Sequence, residues 1–263
     1  VLSDATARAL HAHVLDELER LLAGNACDAA RLVAVGSGTQ RQSRHAEGSY
    51  NDDDDDASDP REARWDVRLD QNEPLVRAAL AELLGNDAAL GAALEALGGG
   101  GKAKRALQLW ELAAIVSVPG CEPQIVHADA MWSPEPLLLT AFVALQPVTR
   151  EMGPTRFLPR THAKPGPAAV VATTDATRLV EADGMASNKK GGSSAAPPAS
   201  WVGLLDAGDA ALYDGRLLHC GGANRADRPR ALLYVTFRAV EDAGEDEVDG
   251  VTTLASLRRS FSD

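Results

Sequence analysis

From Leu107 onward the chain is written in short apolar runs separated by turns containing proline and glycine, and this rhythm constrains the fold more than any other feature. The runs are Ala113 to Val118, Leu137 to Leu145, Ala210 to Tyr213 and Ala231 to Phe237. Each has the length of a strand, and no long helical pattern intervenes between them. Several short strands in succession predict an antiparallel sandwich or jelly roll. Asp214-Gly215, between Tyr213 and Leu217-Leu218-His219, carries the signature of a tight hairpin turn.

The first part of the chain follows a different period. Leu10, Val14, Leu15, Leu18, Leu21 and Leu22 recur at helical spacing over residues 4–23, with Ser3 as N-cap. Residues 73–97 predict two short helices broken near Gly85-Asn86, and Gly98 to Gly101 end the helical part. The expected architecture is therefore α+β: N-terminal helices bracing an antiparallel sandwich or jelly roll. On this reading residues 1–103 form a helical region with an acidic loop, residues 104–240 the jelly-roll core, and residues 241–263 a C-terminal tail, all within one domain.

Two stretches interrupt that plan. Asp52 to Asp56 are five adjacent carboxylates without the alternating ligands and central glycine of a calcium loop, so self-repulsion predicts a solvated loop. Residues 183–200 are low in complexity and predict a flexible insertion, with a lid over the site as its expected role.

Charge narrows the partners. With 26 basic and 38 acidic residues the net charge is −12, which excludes a nucleic-acid backbone or an anionic membrane surface and leaves a small molecule as the expected partner. Cys27, Cys121 and Cys220 are odd in number and form no CxxC pair, so a disulfide framework is not expected and a reducing compartment is. No apolar run approaches the ~18 residues of a membrane span. Together these predict an intracellular, cytoplasmic protein.

Two segments carry the chemistry: Gln124-Ile-Val-His127-Ala-Asp129, and His219 through Arg230. The two histidines are 92 residues apart and the arginine follows the second by eleven. His127 and Asp129, two apart at a strand end, project from one face and deliver two neighbouring ligands. Alone, His-x-Asp describes equally well a partly buried histidine bonded to a carboxylate. With His219 added, two imidazoles and one carboxylate are the ligand set of a mononuclear non-haem Fe(II) site with open positions. Arg230 opens an apolar strand, where an unpaired guanidinium is costly and either a bound dicarboxylate or an internal salt bridge would offset it. His11 and His13 lie on different helix faces and are read as surface or packing residues.

These residues resemble the phytanoyl-CoA dioxygenase-like branch of the Fe(II)/2-oxoglutarate oxygenases. The resemblance rests on Gln124-x-x-His127-x-Asp129, on Met152-Gly-Pro-Thr155 through His162, and on Gly208-Asp209 through Arg230, and covers roughly residues 104–240. It implies that His127, Asp129 and His219 bind iron and that Arg230 binds the distal carboxylate of 2-oxoglutarate. Gln124 and Thr155 correspond to family residues near the cosubstrate. It implies Fe(II), 2-oxoglutarate and O2 as cofactors, and hydroxylation of a small organic or lipid-like substrate with succinate as co-product. Met152 stands where the family usually has asparagine, and Arg160-Thr161 where it has Gly-Ser. His162 is accordingly expected to shape a turn or a pocket wall, and Trp132 to line the substrate pocket. The rival readings are a jelly-roll metal hydrolase or isomerase and a catalytically silent binding protein of the same fold.

Overall fold

The computed structural model describes residues 1–24, 31–35, 64–98, 105–131, 138–163, 200–241 and 252–261. Helix α1 (Asp4–Ala23) starts where Ser3 accepts a hydrogen bond from the Thr6 amide, and it buries Ala7, Leu10, Val14, Leu18 and Leu21 as one stripe. Helices α2 (Pro74–Leu84) and α3 (Ala89–Gly98) break at Gly85, as the sequence predicts. Proline opens α2, and the Glu73 side chain accepts from the Val76 amide.

Among the described residues nine strands make two antiparallel sheets. The large sheet has the order β1 (Leu32–Val35), β2 (Arg64–Arg68), β3 (Arg105–Ser117), β9 (Arg230–Glu241), β4 (Leu138–Ala144), β7 (Ala210–Asp214). The small sheet has β6 (Trp201–Val202), β5 (Thr155–Phe157) and β8 (His219–Gly221). Four α-helices accompany them among the described residues, the last being α4 (Leu254–Ser260). No helix among the described residues is long and apolar enough to cross a membrane.

The two faces of β9 show how the large sheet divides its work. Ala231, Leu233, Val235 and Phe237 are buried in one core with Leu10, Val14, Leu80, Leu83 and Leu94 of the helices. Arg230, Leu232, Tyr234 and Thr236 point the other way, toward the small sheet. Register puts Arg230 opposite Ser117 and, across the same row, Ser117 opposite Arg64. Further along, Tyr234 faces Phe142, and Thr236 faces Thr140, which in turn pairs with Tyr213. The rings of Phe142 and Tyr213 lie 6.4 and 4.8 Å from the His219 ring, so the two sheets meet there.

A β-bulge in β3, between Leu109 and Glu111, changes the parity of that strand. Leu107 and Leu109 before it and Leu112, Ala114 and Val116 after it all pack in the helical core, while Glu111, Ile115 and Ser117 face inward. The extra residue, Trp110, is half-exposed with Arg238 over its ring at 5.0 Å.

Three expectations from the sequence need correction. Asp214-Gly215 does form a turn, closed by the Leu217 amide donating to the Asp214 carbonyl, but not a hairpin. The strands on either side belong to different sheets: β7 pairs with β4, and β8 with β5. The region expected to be helical also supplies β1 and β2, and residues 241–263 contribute α4, which carries a capping box between Thr253 and Ser256 and buries Leu254 and Leu257. The acidic run at Asp52–Asp56, Cys27, and residues 183–199 with their expected lid lie outside the described residues.

Candidate metal centre

The segment Gln124–His127 runs antiparallel along the free edge of β8. The Gln124 amide donates to the Gly221 carbonyl at 2.9 Å, and His127 and His219 exchange both backbone hydrogen bonds at 3.0 and 2.8 Å. This two-sided pairing fixes the histidine side chains as neighbours, with ring centroids 4.5 Å apart. His127 occupies an isolated bridge and Asp129 a bend just beyond it, so the expected strand end is a single rung of ladder.

His127, Asp129 and His219 each aim one ligand-type atom at a common point, and these atoms lie within 4.8 Å of one another. Asp129 Oδ1 is 3.6 Å from Nε2 of both histidines. Donors bonded to one ion at about 2.1 Å are separated by about 3 to 4 Å, so the spacing suits a single cation. The ring orientations are set by the backbone: His127 Nδ1 is 2.9 Å from the Ile125 carbonyl, and His219 Nδ1 is 3.0 Å from the Leu217 carbonyl. A carbonyl can only accept, so each Nδ1 carries the proton and each Nε2 offers its lone pair inward. Burial holds the His219 imidazole below its ordinary value; Asp129 opposes this and His127 reinforces it.

Tyr213 is a functional residue that the sequence reading missed. Its hydroxyl donates to Asp129 Oδ2 at 2.8 Å and lies 3.5 Å from His219 Nε2. Burial first, and then Asp129, push this phenol well above its usual range, so it remains a donor. It holds one carboxylate oxygen and leaves the other facing the histidines. Position gave a faint signal only, since Tyr213 stands immediately before the Asp214-Gly215 turn that leads to His219.

The three groups open onto a cavity of about 320 Å³ lined also by Ile115, Gln124, Thr140, Phe142, Tyr234 and Thr236 and by Asp66, Trp110 and Glu111. Tyr234 donates to Asp66 Oδ2 at 2.8 Å, and Asp66 Oδ1 is buried without a partner. Burial raises the Asp66 carboxyl, partly offset by Tyr234 and Arg68. Burial also raises Glu111, with Asp66 and Asp129 adding to the effect.

Arg230 is 1% exposed. It donates to the Gly153 carbonyl and, at 2.9 Å, to Ser117 Oγ, while its Nε has no partner. No carboxylate among the described residues pairs with it, so the internal salt bridge that the sequence left open is not formed among them. Burial, and then the neighbouring Arg64 cation, lower it to about 9. Thr155 is buried directly across from Gly221, and the Gln124 side-chain oxygen accepts from the Gly221 amide at 2.9 Å. Both therefore stand beside the row that carries Arg230. His162 sits in a turn after β5 and is not in the metal-type cluster; His11 is half-buried on α1, away from it. Trp132 lies outside the described residues.

A family model described as phytanoyl-CoA dioxygenase (PhyH) matches residues 7–232. Curated proteins give no match. Among solved structures, the non-heme alpha ketoglutarate dependent epimerase SnoN from nogalamycin biosynthesis is 22% identical, with 96% of this chain and 90% of that chain covered at a TM-score of 0.55. The non-heme alpha ketoglutarate dependent carbocyclase SnoK from the same biosynthesis is 20% identical, covering 95% and 81% at 0.54. The non-heme monooxygenase ThoJ is 16% identical, covering 96% and 76% at 0.52. At these identities the likeness concerns the fold.

Proposed function

The chain belongs to the phytanoyl-CoA dioxygenase family, and from that premise we propose that it is an Fe(II)- and 2-oxoglutarate-dependent oxygenase acting on a small organic or lipid-like substrate. The observation that carries this reading is the cluster of His127, Asp129 and His219, with both Nδ1 protons committed to backbone carbonyls and both Nε2 lone pairs turned inward. Two neutral imidazoles and one carboxylate on one side of an ion, with open positions toward a cavity, match non-haem Fe(II) rather than a closed structural site. The two sheets are read as the walls of a double-stranded β-helix, and residues 104–240 as the catalytic core of one domain.

With Fe(II), 2-oxoglutarate and O2 present, the chemistry supplied is oxidative: the cosubstrate loses CO2 to become succinate, and one oxygen atom enters the substrate. The chain's own part is to bind, orient and exclude water. His127, Asp129 and His219 hold the metal, and Tyr213 fixes the Asp129 carboxylate by its 2.8 Å hydrogen bond. Arg230 binds the distal carboxylate of 2-oxoglutarate, with Thr155 and Gln124 beside it. Phe142, Tyr213 and Ile115 give the cavity a dry wall that limits side reactions. Trp110, Asp66 and Glu111 also line the cavity, and on this proposal they meet the substrate. Similar folds serve an epimerase, a carbocyclase and a monooxygenase. Hydroxylation is therefore the specific outcome proposed here and needs its own readout.

Two measurements test the reading. Under anaerobic conditions Fe(II) with 2-oxoglutarate should raise the melting temperature more than either alone, and His127→Ala, Asp129→Ala and His219→Ala should each remove that synergy. With oxygen and a candidate substrate, product mass separates hydroxylation (gain of one oxygen) from loss of two hydrogens or epimerisation. Wild-type protein with iron but no 2-oxoglutarate-dependent shift would refute the oxygenase reading and favour a metal hydrolase.

A further inference from the structure

Arg64 is 2% exposed and sits at the first position of β2, at the inner end of the row that crosses Ser117 to Arg230. It donates through Nε to Ser117 Oγ at 2.9 Å, and through NH2 to the Gly222 carbonyl at 2.9 Å and the Cys121 sulfur at 3.6 Å. Its NH1 is buried without a partner. Among the described residues Arg64, like Arg230, has no carboxylate partner. One hydroxyl oxygen, Ser117 Oγ, thus accepts from two buried guanidiniums at once and has no lone pair left. Two uncompensated cations side by side in the interior are costly. A purely structural arginine would be expected to come with an acid.

Both guanidiniums converge on one spot. A Cβ placed on Gly221 would lie 2.8 Å from Gln124 Oε1, 3.3 Å from Arg64 NH2 and 3.4 Å from Arg230 NH2. Gly221 is two residues from His219 on β8, so both point to the same side of the small sheet, about 7 Å apart. That step suits a five-carbon dicarboxylate chelated at one end beside His219, with its far carboxylate under the two arginines. Glycine at 221 keeps a β8 side chain out of this spot, whose nearest neighbour is the Gln124 side-chain oxygen.

We propose that Arg64 is a second cationic clamp, acting with Arg230 on the distal carboxylate of the cosubstrate and setting the preference for a dicarboxylate over a monocarboxylate 2-oxo acid. This rests on the oxygenase reading above. The carboxylate has lone pairs for donors from both guanidiniums, and it supplies the negative charge that the row from Arg64 to Arg230 lacks. Burial lowers both arginines, and for Arg230 the Arg64 cation is the next cause. Arg64 is a binding residue here, remote from the reacting atoms.

The test uses the full chain loaded with redox-inert Zn(II), and calorimetric titration with 2-oxoglutarate and with pyruvate, which keeps the chelating end and lacks the far carboxylate. Wild-type protein should bind 2-oxoglutarate much more tightly than pyruvate. Arg64→Gln should weaken 2-oxoglutarate by roughly thirty-fold or more, the low end for truncating one side of a desolvated charge pair, and leave pyruvate and Zn(II) binding unchanged. Arg64→Lys keeps the charge without the fork and should fall between; it also serves if the Gln variant does not fold. A merely structural Arg64 would weaken both acids together, or neither, and either result in a folded variant overturns the proposal. Failure of wild-type protein to bind 2-oxoglutarate at all would instead refute the oxygenase reading, so the two failures are distinct.

Discussion

Tyr213→Phe removes a hydrogen bond that orients the metal-type carboxylate. The ring is packed against Phe142 and Phe157 at centroid distances of 5.3 and 5.2 Å, and phenylalanine keeps both contacts. What is lost is the 2.8 Å bond from the hydroxyl to Asp129 Oδ2. A hydrogen bond to a charged acceptor contributes about 1.5–3 kcal/mol. The Asp129 side chain is 29% exposed, so water replaces part of that interaction and the lower half of the range applies. About 1.5–2 kcal/mol corresponds to a loss in metal affinity of roughly ten- to thirty-fold, inside the range for removing an outer partner of a metal ligand. The assay is competitive titration of metal-free protein with Zn(II) against a chromophoric chelator, with His219→Ala as the reference for loss of a ligand. The metal-free variant should stay folded, and its loss in urea unfolding should be no more than the same ~2 kcal/mol, because the ring contacts are kept and only this bond is removed. Equal metal affinity in wild-type and Tyr213→Phe protein would refute the orienting role and leave Tyr213 as packing.

Three more perturbations address other parts of the molecule. Arg230→Ala should leave Zn(II) affinity intact and weaken 2-oxoglutarate binding by about 2–5 kcal/mol; unchanged cosubstrate affinity in the folded variant would remove Arg230 from the site. Asp66 has its carboxyl raised by burial, so the folded protein keeps that proton to higher pH than the unfolded chain and loses stability as pH rises through the folded value. Asp66→Asn should therefore gain in melting temperature relative to wild type as pH rises from about 4 toward neutrality, and a constant difference across that window would contradict the assignment. Leu257 on α4 is 6% exposed within the main core, so Leu257→Ala should cost about 2–4 kcal/mol in urea unfolding; a change within error would mean that α4 does not help hold the fold.

The helical face of the protein could be read from sequence because it follows the simplest rule. Leu10, Val14, Leu18 and Leu21 repeat at the helical period, and Ala231 to Phe237 alternate against them in a strand rich in apolar residues. The inner face of the same sheet breaks that rule because it lines a site. In Arg64-Trp-Asp-Val-Arg68, Trp65 and Val67 pack on the helices while Arg64 and Asp66 turn inward and Arg68 is exposed, so the strand presents as a polar loop in sequence. Bulging at Trp110 hides β3 in a different way: it shifts the apolar parity mid-strand, so no single alternation describes residues 105–117. Asp214-Gly215 was read correctly as a turn, but turn chemistry is local and does not say which sheet the next strand joins.

The metal-type cluster shows the same division between local and long-range information. His127, Asp129, His219 and Arg230 announce themselves by residue type and spacing, because few other uses need that combination in that order. Tyr213 and Arg64 carry no such spacing, and their roles depend on register: Tyr213 reaches Asp129 across 84 residues, and Arg64 meets Arg230 only because both pair with Ser117. A single displaced residue in the β2–β3 pairing would turn Arg64 to the helical face and bring Trp65 inward. The charges that cost the fold most to bury are therefore the ones whose placement only the assembled sheet reveals. Their lack of acidic partners in that sheet is a consequence of where strand pairing puts them, and it is what makes an incoming carboxylate the natural counter-charge.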